Sequence, residues 1–209
     1  MKWLLVNADD FGLTEGVNRA IAECHTHGIV TSTTLMATGA AFDHAVELSR
    51  SLPELSVGCH VVLVDGEPLL PANEVRSLLA PGTNRFFHSI GEFARAALRG
   101  KFRTEEIEAE ATAQFARLQK AGVQISHFDS HKHTHLFPAV LGPVLRAATR
   151  AGIAAVRNPF EASSTLCMHT VLRDRKLAIR TFEVRLLRAY RQHFLKQVRA
   201  IGLSTPDGS

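Results

Sequence analysis

Four histidines and an aspartate gather in one short stretch of the chain, and their types and spacing suit metal chemistry. They occupy alternate positions: His127, Asp129, His131, His133 and His135. Alternate side chains of an extended segment project on the same face, so we predict that all five face one way. Imidazole and carboxylate groups are common ligands of divalent metals. We therefore predict a metal site here, with Asp129 and His133 as candidates for orienting the ligands rather than binding the ion.

Two further polar clusters coincide with short apolar runs that we predict to be strands. Asp9 and Asp10 follow the run at 2–7, and adjacent carboxylates there are costly unless a positive group lies between them. His60 lies inside a valine-rich run, where a hydrogen-bonded core histidine is the alternative to a ligand. The three clusters together offer a carboxylate and imidazoles from separate strands. Such mixed ligation suits zinc, and also iron, cobalt, nickel or manganese.

The predicted strands and helices alternate along the whole chain. We predict strands at 2–7, 29–35, 55–63, 123–128 and 153–156, and helices after Thr14, at 42–50, from Thr104 to Gly122, from Pro138 to Arg150 and at 180–201. This alternation predicts an α/β fold with a parallel sheet wrapped by helices, either a barrel or an open sheet. In both folds ligands bind beyond the carboxyl ends of the strands, where we place the three clusters.

Composition and the absence of common motifs narrow the function classes. The 209 residues are 45% hydrophobic, which is enough for one core, and no apolar run reaches the ~18 residues of a membrane span. The N-terminus does not resemble a signal peptide, so we expect a cytoplasmic protein. Three widely spaced cysteines argue against disulfides and a cysteine zinc site. The chain has no GxSxG, P-loop or GxGxxG motif, which disfavours serine acyl transfer, nucleotide hydrolysis and nicotinamide binding.

Four segments, in order along the chain, resemble the YdjC-like carbohydrate deacetylase family. They are NADDFG at 7–12, GIVTSTT at 28–34, GCH at 58–60 and HFDSHKHTH at 127–135. That family includes diacetylchitobiose deacetylases and a branch associated with hopanoid biosynthesis, and the resemblance runs from residue 2 to about residue 160. It implies a (β/α) barrel-like fold and removal of the acetyl group from an N-acetylated saccharide or glycolipid. It also implies a divalent ion, Mg²⁺ or Zn²⁺, with Co²⁺ or Ni²⁺ as alternatives, and no nucleic acid partner.

The resemblance also implies roles for individual residues. Asp10, His60 and His131 match the family's metal ligands, and Asp9 matches the carboxylate that acts as general base. A metal-activated water then attacks the acetyl carbonyl while Asp9 takes its proton. We expect His133 or His135 to protonate the leaving amine.

Two other functions stay open at this point. A phosphoesterase is compatible with the same ligand set, although Lys132 is the only basic residue within the clusters. A non-enzymatic module that binds a membrane surface or a partner is compatible with the basic segment 173–199, because residues 141–209 hold 12 basic and 4 acidic residues. Family members are usually longer, so we expect one domain at 1–209 that is truncated at its C-terminus. Its unpaired sheet edge then favours a homodimer.

Overall fold

A parallel β-sheet forms the centre of the molecule. The structure is a computed structural model, and it describes residues 4–160 and 190–207. The strands are β1 (Asn7–Phe11), β2 (Ser32–Leu35), β3 (Ser56–Val61) and β4 (Phe128–Ser130), in that order across the sheet and all parallel. Single parallel bridges extend the sheet from Phe128 to Val156 and from Ala155 to Ser204. The parallel α/β fold that the sequence predicts is confirmed, whereas closure into a barrel stays a prediction.

Helices and short turns connect these strands. The helices are α1 (Glu15–Thr26), α2 (Phe42–Ser51), α3 (Ile90–Leu98), α4 (Thr104–Lys120), α5 (Pro138–Arg150) and α6 (190–200), with 3₁₀ turns at Arg76–Leu78 and His131–Leu136. Thr14 caps α1 by accepting a hydrogen bond from the Val17 amide at 3.2 Å. Pro138 begins α5, a position where its missing N–H is not needed. No helix in the described part is both long and apolar enough to cross a membrane.

The helix predictions are largely confirmed, with three differences. Helix α3 was not predicted, although Ser89 caps it in the usual way by accepting from the Glu92 amide. Thr104 is the first residue of α4 rather than its cap, because Arg103 occupies the cap position. The predicted helix at 180–201 is described only from residue 190, and most of the basic segment 173–199 lies outside the described residues.

Three strand predictions were wrong in their bounds. The second strand begins at Ser32 rather than at residue 29. The first strand begins at Asn7, where we expected it to end, so both carboxylates lie within it. The fourth strand is short and begins at Phe128, because residues 123–127 approach the sheet without forming a regular ladder. The predicted strand at 153–156 is present only as isolated bridges.

The sheet side that faces the helices carries the apolar core. Its residues alternate along the strands and are almost completely buried: Leu35, Val57, Cys59, Val61 and Phe128. The Phe115 ring of α4 packs edge-on against Phe128, with ring centroids 5.8 Å apart. Burying each large side chain of this kind stabilises the fold by about 1.5–3 kcal/mol. This layer holds the strands in place, and the intervening residues of each strand project to the opposite side.

Candidate metal centre

Asp10, His60 and His131 come together at the carboxyl edge of the sheet. The three atoms that converge are Asp10 Oδ1, His60 Nε2 and His131 Nδ1, which lie 3.2–3.3 Å from one another. A metal bound to such atoms at about 2.0–2.2 Å, with tetrahedral or octahedral angles, places them about 3.0–3.5 Å apart. The donor set and its spacing therefore fit one divalent ion with open coordination positions.

An irregularity in β1 lets two consecutive aspartates face the same site. In a regular strand Asp9 and Asp10 would project to opposite sides of the sheet. The register between β1 and β2 shifts between Ala8 and Phe11, and Asp10 adopts a left-handed backbone conformation with φ 63°. Bulges of this kind often redirect a side chain next to a functional site. Here Asp10 points to the two histidines while Asp9 stays with the neighbouring polar residues.

The orientation of His60 is fixed from behind by a buried carboxylate. Asp129 Oδ1 lies 2.6 Å from His60 Nδ1, and the Thr34 hydroxyl donates to Asp129 Oδ2 at 3.3 Å. A proton on Nδ1 directs Nε2 of the same ring toward Asp10 and His131. Asp129 thus has the ligand-orienting contact that we predicted for it.

The charges around Asp10, His60 and His131 favour a positive charge between these three side chains. Burial lowers the pKa of His60, but attraction from Asp129 and Asp10 outweighs burial and raises it to about 10. Hydrogen bonds from His131 and His60 hold the pKa of Asp10 well below its usual range. A metal ligand must give up its proton, so we expect metal binding to release protons and to strengthen as the pH rises.

Arg157 lies between the carboxylates and was not identified from the sequence. Its Nη1 donates to both oxygens of Asp9, at 2.6 and 2.8 Å, and to Asp129 Oδ2 at 3.2 Å. Asn7 Nδ2 also donates to Asp9 Oδ1 at 2.7 Å. Arg157 therefore supplies a positive group to Asp9 and Asp129, whereas Asp10, the other carboxylate of the predicted pair, faces His60 and His131. Its position directly after the predicted strand at 153–156 was the signal that could have revealed it.

The prediction that the five residues of the 127–135 cluster share one face was wrong. The chain leaves the sheet after Ser130, and Lys132 and His133 have left-handed conformations with φ 52° and 53°. His131 turns to Asp10, while His127 packs over Gly58, where an added Cβ would meet its ring at 2.6 Å. Alternation therefore holds only inside the strand.

His133 and His135, our two candidates for the proton donor, take different positions. His133 has one part of its side chain exposed near the site, and the partial burial of the rest, together with the positive charge of Arg157, lowers its pKa. His135 is fully buried on the helix side, with Nδ1 2.6 Å from the Ser130 hydroxyl and its ring beside Phe128 and Phe194. Burial lowers the pKa of His135 to about 4. The structure thus brings His133, and not His135, to the open side of the cluster.

Backbone strain among the described residues concentrates around this site. The four residues other than glycine with positive φ are Asp10, Asp65, Lys132 and His133. Asp65 belongs to the same region, because its carboxylate binds Lys132 Nζ at 2.6 Å and lies 3.1 Å from His88 Nδ1. Such conformations persist only where surrounding contacts enforce them, and they cluster at functional sites.

The chain is similar to known proteins over most of its length. The family model described as YdjC-like protein matches residues 3–209. The chain is 44% identical over 145 residues to a carbohydrate deacetylase of Brevibacillus brevis, an alignment that covers 69% of this chain and 55% of that protein. It is 43% identical over 155 residues to a chitooligosaccharide deacetylase of Enterobacter sp., covering 73% and 58%. The chain thus spans little more than half the length of these relatives.

A solved structure supports the fold over nearly the whole chain. A protein of Enterococcus faecalis, proposed to be a cellobiose-phosphate cleavage protein, is 30% identical with a TM-score of 0.71. The similarity covers 97% of this chain and 66% of that one. The match to the family model and the identity to the two deacetylases confirm the resemblance seen in the sequence. The chain belongs to the YdjC-like protein family.

Proposed function

We propose that the chain carries the active site of a metal-dependent deacetylase that removes acetyl groups from N-acetylated oligosaccharides. The observation that carries the proposal is the triangle of Asp10, His60 and His131 with a second carboxylate, Asp9, beside it. The relatives' names, carbohydrate deacetylase and chitooligosaccharide deacetylase, support the substrate class. Hydrolysis of an amide needs an activated water, a base and a proton donor, and the chain offers a candidate for each.

Asp10, His60 and His131 would hold the ion. A divalent ion there supplies Lewis acidity, which polarises the acetyl carbonyl and acidifies a water molecule. Two imidazole nitrogens favour Zn²⁺, Co²⁺ or Ni²⁺ over Mg²⁺, whose ligands are usually all oxygen. Asp129 keeps His60 in the orientation and tautomer that a ligand requires.

Asp9 is our candidate for the general base. Its side chain is 37% exposed, so a water molecule and the substrate can reach it. Arg157 donates to both oxygens of the carboxylate and Asn7 donates to one of them, which fixes its orientation. A base held in this way needs little reorganisation before it takes the proton of the attacking water.

His133 is our candidate for the group that protonates the leaving amine. It follows His131 by two residues on the same turn and is exposed, whereas His135 is enclosed by Phe128 and Phe194. We therefore assign the donor role to His133 and a packing role to His135.

Metal replacement tests the proposal directly. The protein is stripped with chelator, Zn²⁺, Co²⁺, Ni²⁺ or Mg²⁺ is restored singly, and acetate released from N-acetylated chitooligosaccharides is measured. We expect metal-dependent release that His131→Ala abolishes together with metal binding. Asp9→Asn should lower release at least about a hundredfold and keep the metal, as expected for a lost general base. Metal-dependent turnover of nitrophenyl phosphate in place of acetate release would refute the deacetylase.

The phosphoesterase alternative has less support from the charges at the site. Phosphate substrates need cationic groups beside the metal, but Arg157 is bound to Asp9 and Asp129, and Lys132 is bound to Asp65. Both basic groups are thus already paired with carboxylates. We therefore keep the phosphoesterase as a control reaction rather than as a second proposal.

A further inference from the structure

A stripe of polar side chains on α4 holds the long connection that follows β3. Glu106, Glu110 and Gln114 are four residues apart, so they share one face of the helix. Glu110 and Gln114 are fully buried, which is rare for such side chains unless all their polar atoms are bonded. Their partners are backbone groups of the segment 62–77, and we call these three residues the α4 clamp.

The α4 clamp satisfies main-chain groups that have no partner in a regular element. Glu110 accepts from the amides of Leu69 and Leu70 at 2.9 and 3.1 Å, one with each carboxylate oxygen. Gln114 bonds both the amide and the carbonyl of Val62, at 2.8 and 2.7 Å, and donates to Glu110 at 2.8 Å.

Glu106 accepts from the Ser77 amide at 2.6 Å and completes the α4 clamp. The connection is therefore held at three places, which are Val62, Leu69 with Leu70, and Ser77.

A carboxylate is a costly way to fix a loop in the interior. No arginine or lysine of the described part forms an ion pair with Glu110, so two backbone amides and the Gln114 side-chain amide compensate its buried carboxylate. A backbone amide that leaves water without a hydrogen-bond partner is destabilising, so both loop amides depend on this residue. The arrangement indicates that the position of the loop matters, because an apolar contact would give burial without fixing the backbone.

The clamped connection leads directly to the mouth of the metal centre. Asp65 lies between Val62 and Leu69, and its amide donates to the Phe87 carbonyl at 2.8 Å. Its carboxylate binds Lys132, the residue next to His131, and also lies beside His88. The ion pair between Asp65 and Lys132 therefore joins the loop after β3 to the turn that carries His131.

We propose that Glu110 and Gln114 are positioning residues that set the substrate-binding wall of the site. They fix the start of the loop so that Asp65 and Lys132 stand at the mouth of the metal centre and contact the saccharide beyond the acetylated sugar. This inference rests on the proposed function for its substrate. Neither residue touches the reacting atoms, so loosening the α4 clamp should weaken substrate binding more than it slows the chemical step.

Glu110→Gln tests the inference, with Glu108→Gln as the matched control. Both changes remove one carboxylate from α4, but Glu108 binds Arg146 and Arg150 of α5 and does not touch the loop. We expect Glu110→Gln to raise KM for N-acetylated chitooligosaccharides about tenfold, with kcat within about twofold and metal content unchanged. Glu108→Gln should leave KM and kcat as in the wild type.

Amide hydrogen exchange supplies a readout that does not depend on activity. The Leu69 and Leu70 amides should exchange slowly in the wild type and in Glu108→Gln, and faster in Glu110→Gln. Unchanged exchange in Glu110→Gln would refute the α4 clamp, and faster exchange with unchanged KM would refute the substrate wall. If Glu110→Gln and Glu108→Gln changed KM and kcat to the same extent, the positioning role would be refuted and the effect would be a general loss of stability. If the wild type releases no acetate, the proposed function fails, while exchange still tests the α4 clamp.

Discussion

The two sides of the central sheet are buried to the same degree but differ in chemistry. On the helix side Leu35, Cys59 and Phe128 are fully buried, and on the opposite side Thr34, His60 and Asp129 are at most 3% exposed. Leu35, Cys59 and Phe128 have apolar side chains, whereas Thr34, His60 and Asp129 form one hydrogen-bonded group. Equal burial therefore does not mean equal contribution to stability.

The difference follows from the free-energy terms for apolar and charged groups. Burial of apolar side chains stabilises the fold directly. Burial of an imidazole and a carboxylate carries a desolvation penalty that their attraction only partly offsets, so apolar residues of the same volume are often as stable or more so. We conclude that the helix side supplies stability, and that the polar side is held in place by it and serves the metal centre.

Phe128→Ala is expected to have the largest effect on stability. Removing a fully buried phenylalanine from the helix side leaves a cavity beside Phe115 and should lower the free energy of unfolding by about 3–5 kcal/mol. Urea unfolding monitored by circular dichroism measures this loss. Metal affinity of the fraction that remains folded should stay close to that of the wild type.

The neighbouring Asp129→Asn sharpens the comparison, because it changes the next residue on the opposite side. Loss of the carboxylate behind His60 should weaken metal affinity about 10–100-fold. Titration calorimetry with Zn²⁺ measures it. Weakening of the same size in Phe128→Ala, measured where that variant is folded, would show that the two sides do not have separate roles.

His135 should make stability depend on pH, although it belongs to the histidine cluster in sequence. Burial lowers its pKa in the folded chain from the ordinary 6.5 to about 4. Between these values the unfolded chain binds a proton that the folded chain does not. The free energy of unfolding should therefore be highest above pH 6.5. It should decrease by up to about 3 kcal/mol as the pH falls from 6.5 toward 4.

Urea unfolding of the wild type and of His135→Gln, from pH 4.5 to 7, isolates this contribution. Glutamine does not titrate and can still bond the Ser130 hydroxyl, so its curve should be flatter over this interval. If the free energy of unfolding changed with pH in the same way in both proteins, His135 would not be buried in its neutral form.

A smaller effect is expected from the strained turn that carries His131. Lys132 has φ 52°, a conformation that glycine adopts without cost, so Lys132→Gly should be more stable than Lys132→Ala by about 0.5–1 kcal/mol. Both variants lose the Asp65 ion pair equally, so the difference reports the backbone alone.

Thermal unfolding of the two Lys132 variants, with the same pair of changes at Lys120 as control, measures this difference. Lys120 lies in α4, and there alanine should be the more stable replacement by about 1 kcal/mol. The same order at both positions would mean that the turn stores no strain.

Much of the scaffold could be predicted from local sequence signals. The apolar spacing in α1, α2, α4 and α5, with Thr14 before α1 and Pro138 at the start of α5, predicts these helices. Strand bounds were less certain, because a strand exists only where a partner aligns with it. Residues 2–7 are as apolar as a strand should be, yet pairing with β2 begins at Asn7.

The sequence by itself determined which metal-binding and proton-transfer groups the chain carries, and the tertiary structure decided which of them lie together. Residue types showed that three clusters offer carboxylates and imidazoles, and the resemblance carried by NADDFG, GCH and HFDSHKHTH implied Asp10, His60 and His131 as the ligands. Contacts between distant segments decide that Arg157 binds Asp9 and that the shift in β1 turns Asp10. They also decide that His135 is buried against Phe194 while the neighbouring ring of His133 is exposed. Local propensity carries no information about such contacts, since each arises only when the strands that bear its two partners are aligned.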